Sequence, residues 1–178
     1  MIVTDAEKLI LLMLSDLHEF NGIDRINTKL LRSALSTNNS WALNWEIPDL
    51  GLDLNDTPKE AVDVVNFMYM WAILEDAWHT FPENIKENIT NTIHIGKTVK
   101  FPGFHSTDEF ELYTIAKLFV DDMGRFERYK GRDLNSHAPM RKLYEKMYSI
   151  FEKYVKPDDL SPTLSHEAFL EIFKATAT

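Results

Sequence analysis

Apolar residues recur along this chain at spacings of three and four, the period of a helix with one buried face, and nowhere in a convincing alternation of two. The first such run opens at Thr4-Asp-Ala-Glu7, a capping box in which the Thr hydroxyl accepts an amide proton and the Glu reaches back to the cap. Leu9, Ile10, Met13, Leu17 and Phe20 then follow at helical spacing and are the expected inner face, and Asn21-Gly22 stops the helix. A second helix is expected near Asp24 to Ser36, with Ile26, Leu30, Leu31 and Leu35 inward. The turn-rich Ser36 to Ser40 leads to a short aromatic piece, Trp41 to Ile47, and 48–56 reads as loop.

Thr57-Pro-Lys-Glu60 marks a further start, with a cap, a proline at the first helical position and an acid in the first turn. Val62, Val65, Phe67, Met68, Met70, Trp71, Ile73, Leu74 and Trp78 leave its middle almost no polar face, so 58–79 is expected to be the central, buried helix. Pro82 opens a helix carrying Ile85, Ile89 and Ile93, and 94–100 reads as loop. Ser106-Thr-Asp-Glu109 is a third capping box, expected to begin a helix that ends near Gly131. A helix from Pro139 to about Tyr154 follows, then a proline-marked linker, then a last helix capped by Ser165. The fold class is all-α: a multihelical bundle of about seven helices around helix 58–79, as one domain that allows subdomains 1–56 and 57–178.

Charge adds an asymmetry to this picture. The 178 residues carry a formal net charge of -9, which disfavours indiscriminate binding to nucleic acid or anionic membrane. Between Arg125 and Lys156, nine basic residues face four acidic ones, so this stretch is +5 and the remainder -14. Such segregation is read first as two solvated faces, with a surface that steers a partner or a second copy of the chain as the alternative. Cysteine is absent, which removes disulfides, thiolate metal sites and a Cys nucleophile. No apolar stretch approaches the roughly 20 residues needed to span a bilayer, and the N-terminal run lacks the positive charge of a signal peptide. The expectation is a cytosolic protein.

Candidate chemistry is sparse. Glu75 and His79 share a helix face, but the second Glu-x-x-His pair of a di-iron bundle is missing, so neither metal nor cofactor is expected. There is no P-loop, no Gly-x-Gly-x-x-Gly and no Gly-x-Ser-x-Gly. Gly124 and Arg125 fall where an ordinary core helix would carry neither. Gly124 permits a tight helix crossing, a bend, or the close approach of a ligand. Arg125 is expected to pair with Asp121 or Asp122, and the competing reading is an anion site built from Arg125, Arg128 and Arg132. Tyr129, Tyr144, Tyr148 and Tyr154 interleave this basic region as in a nucleic-acid surface, although most fall on the core side of their helices.

With these residues in view, the chain resembles the YfbU-like family of bacterial proteins. The likeness is sharpest over 101–144. There Phe101, Gly103, Phe104 and Glu109 are followed by Gly124-Arg125-Phe126, then Asn135, Pro139-Met140 and Tyr144. The opening helix from Thr4 and the central helix through Met68, Tyr69 and Trp78 are also similar. The resemblance implies an all-helical cytosolic protein and implies no activity. Phe101, Gly103, Phe104, Glu109, Phe126, Asn135, Met140 and Tyr144 are read as structural. The leading expectation is a non-enzymatic interaction module that forms a homo-oligomer or binds a protein partner. The alternatives are a nucleic-acid- or anion-binding regulator using the 125–156 face, and an enzyme of unrecognised type.

Overall fold

A computed structural model describes residues 3–48, 56–93, 98–156, 159 and 162–175. The fold is all-α, and among the described residues no strand forms. The helices are α1 (Asp5–Phe20), α2 (Thr28–Ser36), α3 (Trp41–Glu46), α4 (Lys59–Thr80), α5 (Glu83–Ile93), α6 (Phe110–Lys117), α7 (Arg141–Phe151) and α8 (His166–Lys174). The chain divides into two compact units, one from Met1–Val62 and Thr114–Arg132, the other from Asp63–Tyr113 and Asp133–Thr178. The expected loops 48–56 and 94–100 lie largely outside the described residues.

In the first unit, α1 starts at the expected capping box, with Glu7 N–H donating to the Thr4 hydroxyl and Thr4 N–H donating to Glu7. It ends where Ile23 N–H reaches back to His18 O at 3.1 Å. Its inner face corrects the sequence expectation. Lys8, Leu11, Leu12, Ser15 and His18, spaced three and four apart, form the half-buried to buried side, and α1 packs against α2. Leu9, Ile10, Met13, Leu17 and Phe20 point to solvent instead. α2 begins four residues later than expected, capped by Asn27, whose side chain accepts Leu30 N–H. Leu30, Ala34 and Leu35 are its buried residues, and Ile26 is exposed. An aromatic cluster fills the rest of this core: Trp41, Trp45 and Phe119 lie within 5.3–5.8 Å of one another, ring centre to ring centre.

In the second unit, α4 is apolar on nearly every side. Val64, Phe67, Met68, Met70, Trp71, Leu74 and Trp78 are all buried. Phe67 and Trp71 contact Tyr144 at 5.6 and 5.8 Å, Trp71 meets Phe173 at 5.9 Å, and Trp78 stacks on Phe169 at 5.8 Å. α8 starts at its expected cap, Ser165, which accepts Ala168 N–H. It packs against α5 and α7.

The helix expected from Ser106 to Gly131 is the largest departure. Residues 106–109 form a turn, α6 begins at Phe110, and after Lys117 the chain widens into one π-helical turn, Leu118–Asp122. The helix then stops. A single 3-10 turn, Glu127–Tyr129, follows. The helix expected from Pro139 also starts later, at Arg141, and ends at Phe151.

Candidate functional site

Gly124 is a helix terminator, not a residue inside a helix. Its φ is +62°, the left-handed conformation that glycine adopts without penalty just past a helix end. Met123 N–H then reaches Leu118 O at 2.9 Å and Arg125 N–H reaches Phe119 O at 2.7 Å, closing carbonyls that the π turn leaves open. Asn27, the cap of α2, and Lys29 in its first turn finish the task by donating to the carbonyls of Asp122 and Asp121.

Arg125 does not make the expected pair with Asp121 or Asp122. Asp121 is held by Lys117 at 2.7 Å and Asp122 by Lys29 at 3.0 Å. The Arg125 guanidinium lies over the Trp45 ring, 5.3 Å from its centre. Arg128 and Arg132 lie instead against Tyr129, at 5.9 and 4.9 Å. The three arginines are thus brought to two different rings. Phe126, in a left-handed conformation at φ +52°, stacks on Tyr129 at 6.3 Å. Tyr129 and Tyr144 are fully buried, so neither ring is available to stack on a base.

The remaining motif residues meet in the second unit, where they stitch two loops together. Phe104 and Asn135 pair as one isolated parallel bridge: Phe104 N–H donates to Leu134 O at 2.9 Å, and Ser136 N–H donates to Phe104 O at 3.2 Å. Gly103 allows this approach. At φ +88°, a Cβ placed on it would sit 1.9 Å from Leu134 O. The Tyr144 hydroxyl donates to Gly103 O at 2.9 Å, and Phe101 N–H donates to the buried Glu75 carboxylate at 2.8 Å. The Asn135 side-chain oxygen accepts from Ser106 N–H and His137 N–H.

Glu109 also has a use that differs from the expected capping box. Its carboxylate accepts His105 N–H at 3.0 Å and, from 32 residues away in sequence, Arg141 N–H at 2.6 Å. It therefore fastens the loop to the first turn of α7, beside Met140, which precedes that helix. Phe101, Phe104 and Tyr144 complete the stitch with mutual ring contacts of 5.6–5.9 Å.

Two other candidates are accounted for. The helical neighbours Glu75 and His79 diverge in environment, one buried and bonded to backbone, the other exposed. An open groove of about 450 Å³ is lined by Trp78, Glu83, Lys86, Glu87, Thr90 and Asn91, with Lys86 already paired to Glu83 at 3.0 Å.

What the pattern of helical periodicity missed is the outer face of α1. Leu9, Ile10, Met13, Leu14 and Leu17 each leave more than half of their surface exposed, and Phe20 leaves 88%. Ile23, just past the helix, is also half exposed. Isolated apolar residues at a surface are ordinary, whereas a contiguous set of this size marks a contact surface. Comparison with curated proteins gives no match. The sequence model described as the YfbU domain matches residues 4–175, nearly the full chain, and the chain belongs to the YfbU domain family.

Proposed function

We propose that this chain is a cytosolic, non-enzymatic interaction module that self-associates, and that the outer face of α1 is its working surface. The carrying observation is that face: six large apolar side chains on a helix whose other side is already packed, with Ile23 just beyond its end, all solvent-facing. Each leaves on the order of 100 Å² uncovered, so the set approaches 700 Å², above the patch size of a typical monomer. The fate of the motif residues supports the same reading. The polar groups of Glu109, Asn135 and Tyr144 are bonded to this chain's own backbone. No helix of the described residues is long and apolar enough to cross a membrane. Light scattering at tens of micromolar tests the proposal. The expected mass is a multiple of the 20.7 kDa chain, falling to one chain in Leu17→Lys. A wild-type protein that stays strictly monomeric overturns it.

A further inference from the structure

The exposed residues of α1 fall on a seam. Ala6, Ile10, Met13, Leu17 and Phe20 are spaced four, three, four and three, the 3.5-residue repeat of two helices packed side by side. All five are exposed. Leu9 and Leu14 flank the seam on either side, as the next positions outward in such a pair. The residues that pack within the chain, Lys8, Leu11, Leu12, Ser15 and His18, lie on the opposite side of the helix. α1 therefore packs one face within its own chain through Leu11, Leu12 and Ser15, and leaves its larger apolar face uncovered.

We infer that the occupant of the second face is α1 of a second copy, laid antiparallel about a two-fold axis that passes near Leu14. The inference rests on the self-association proposed above and adds the element that covers the face, the direction and the register. Size supports a second copy. The apolar face offers on the order of 700 Å², close to the roughly 800 Å² that each partner buries in a standard stable interface. A self-complementary seam is also what a two-fold interface requires, since the same patch must serve both sides.

Charge selects the direction. Asp5 and Glu7 occupy the first turn of α1, whereas the acids near its other end, Asp16 and Glu19, are both paired with Arg32. A parallel pair would set four carboxylates side by side with both helix dipoles aligned. The antiparallel pair separates the acidic turns by nearly the helix length, about 24 Å for 16 residues, and opposes the dipoles. In the register that uses every large seam residue, Ile10 faces Phe20 of the second copy and Met13 faces Leu17 of the second copy. Leu14 then lies beside its own symmetry mate.

The absence of native cysteine makes this directly testable, because an introduced thiol can pair only with its counterpart in another copy. Leu14 and Ile10 are both exposed, so Leu14→Cys and Ile10→Cys leave the core intact. On mild oxidation, Leu14→Cys should form disulfide dimers in high yield. Ile10→Cys alone should not, since its two copies are about 15 Å apart along the axis, beyond the reach of a disulfide. Ile10→Cys mixed with a mass-tagged Phe20→Cys should give the mixed dimer. Efficient dimers of Ile10→Cys with itself overturn the antiparallel register while leaving self-association standing. A light-scattering dimer in which none of these cysteines pairs overturns the assignment of this face. A chain monomeric by light scattering overturns both readings.

Discussion

Replacing Gly103 by alanine tests the stitch between the two loops at its tightest point. The methyl group would lie 1.9 Å from Leu134 O and 2.2 Å from its carbonyl carbon, both backbone atoms that no rotamer change can move. Holding alanine at φ +88° costs about 1–2 kcal/mol. Pushing the loops apart to remove the overlap adds about 1–3 kcal/mol. That movement also strains two hydrogen bonds, Phe104 N–H to Leu134 O and the buried Tyr144 hydroxyl to Gly103 O, each worth about 1 kcal/mol. The total is about 4 kcal/mol, a large share of the 5–15 kcal/mol by which domains are stable. Gly124→Ala is the internal control. Its φ is also positive, at +62°, but nothing lies within 4 Å of the added carbon, so it should cost only about 1 kcal/mol. Urea unfolding followed by tryptophan fluorescence compares the two. A Gly103→Ala variant no less stable than Gly124→Ala would refute the close-approach argument.

Tyr144→Phe removes one buried donor and should lower stability by about 1–2 kcal/mol with no change in helix content; an unchanged urea midpoint would mean that the hydroxyl bond to Gly103 contributes nothing. Arg125→Ala removes a ring contact worth about 0.5–1 kcal/mol at an exposed site. It should lower Tm by no more than about 3 °C and leave phosphate and oligonucleotide titrations as they are, whereas lost anion binding would restore the arginine site as the functional one. The Glu7 carboxyl is held below its ordinary value of 4.5 by the Thr4 backbone N–H and hydroxyl that it accepts from. The stabilisation from ionised Glu7 is therefore complete above about pH 4.5 and is lost as pH falls through its lower folded value. The Tm advantage of the native chain over Glu7→Gln should shrink between pH 5 and pH 3; a constant difference across that range would count against the cap.

How much of this was legible in sequence depended on how local the deciding contact is. Thr4, Ser165 and the all-round apolar α4 were readable because a cap or a run of apolar residues decides them within a turn. The face of α1 was not readable. Leu9 to Leu14 is unbroken apolar sequence, so periodicity finds a helix without selecting which side meets α2. The end of α6 was hidden because Leu118, Phe119 and Val120 continue the apolar run through a π turn, which has no signature in composition. Gly124 marks a helix terminus, but the apolar run before it gives it the look of a residue inside a helix. Glu109 matched a local capping box, yet it serves an amide 32 residues onward, which no short window contains.

The stitch has a topological consequence for the chain between its two halves. Phe104 is bridged to Asn135 and Glu109 is bonded to Arg141, so the second unit is closed on both sides of the excursion 114–132. The excursion behaves as an insert whose ends are clamped by its host. Closing a loop costs free energy that grows only with the logarithm of its length, about 0.6 kcal/mol per doubling. The second unit can therefore tolerate a change of length in the exposed part of that excursion, around Gly124 to Arg128, at small cost, provided that glycine stays at position 103 and the carboxylate at 109; Leu118, Phe119 and Val120 are fixed by the core of the first unit.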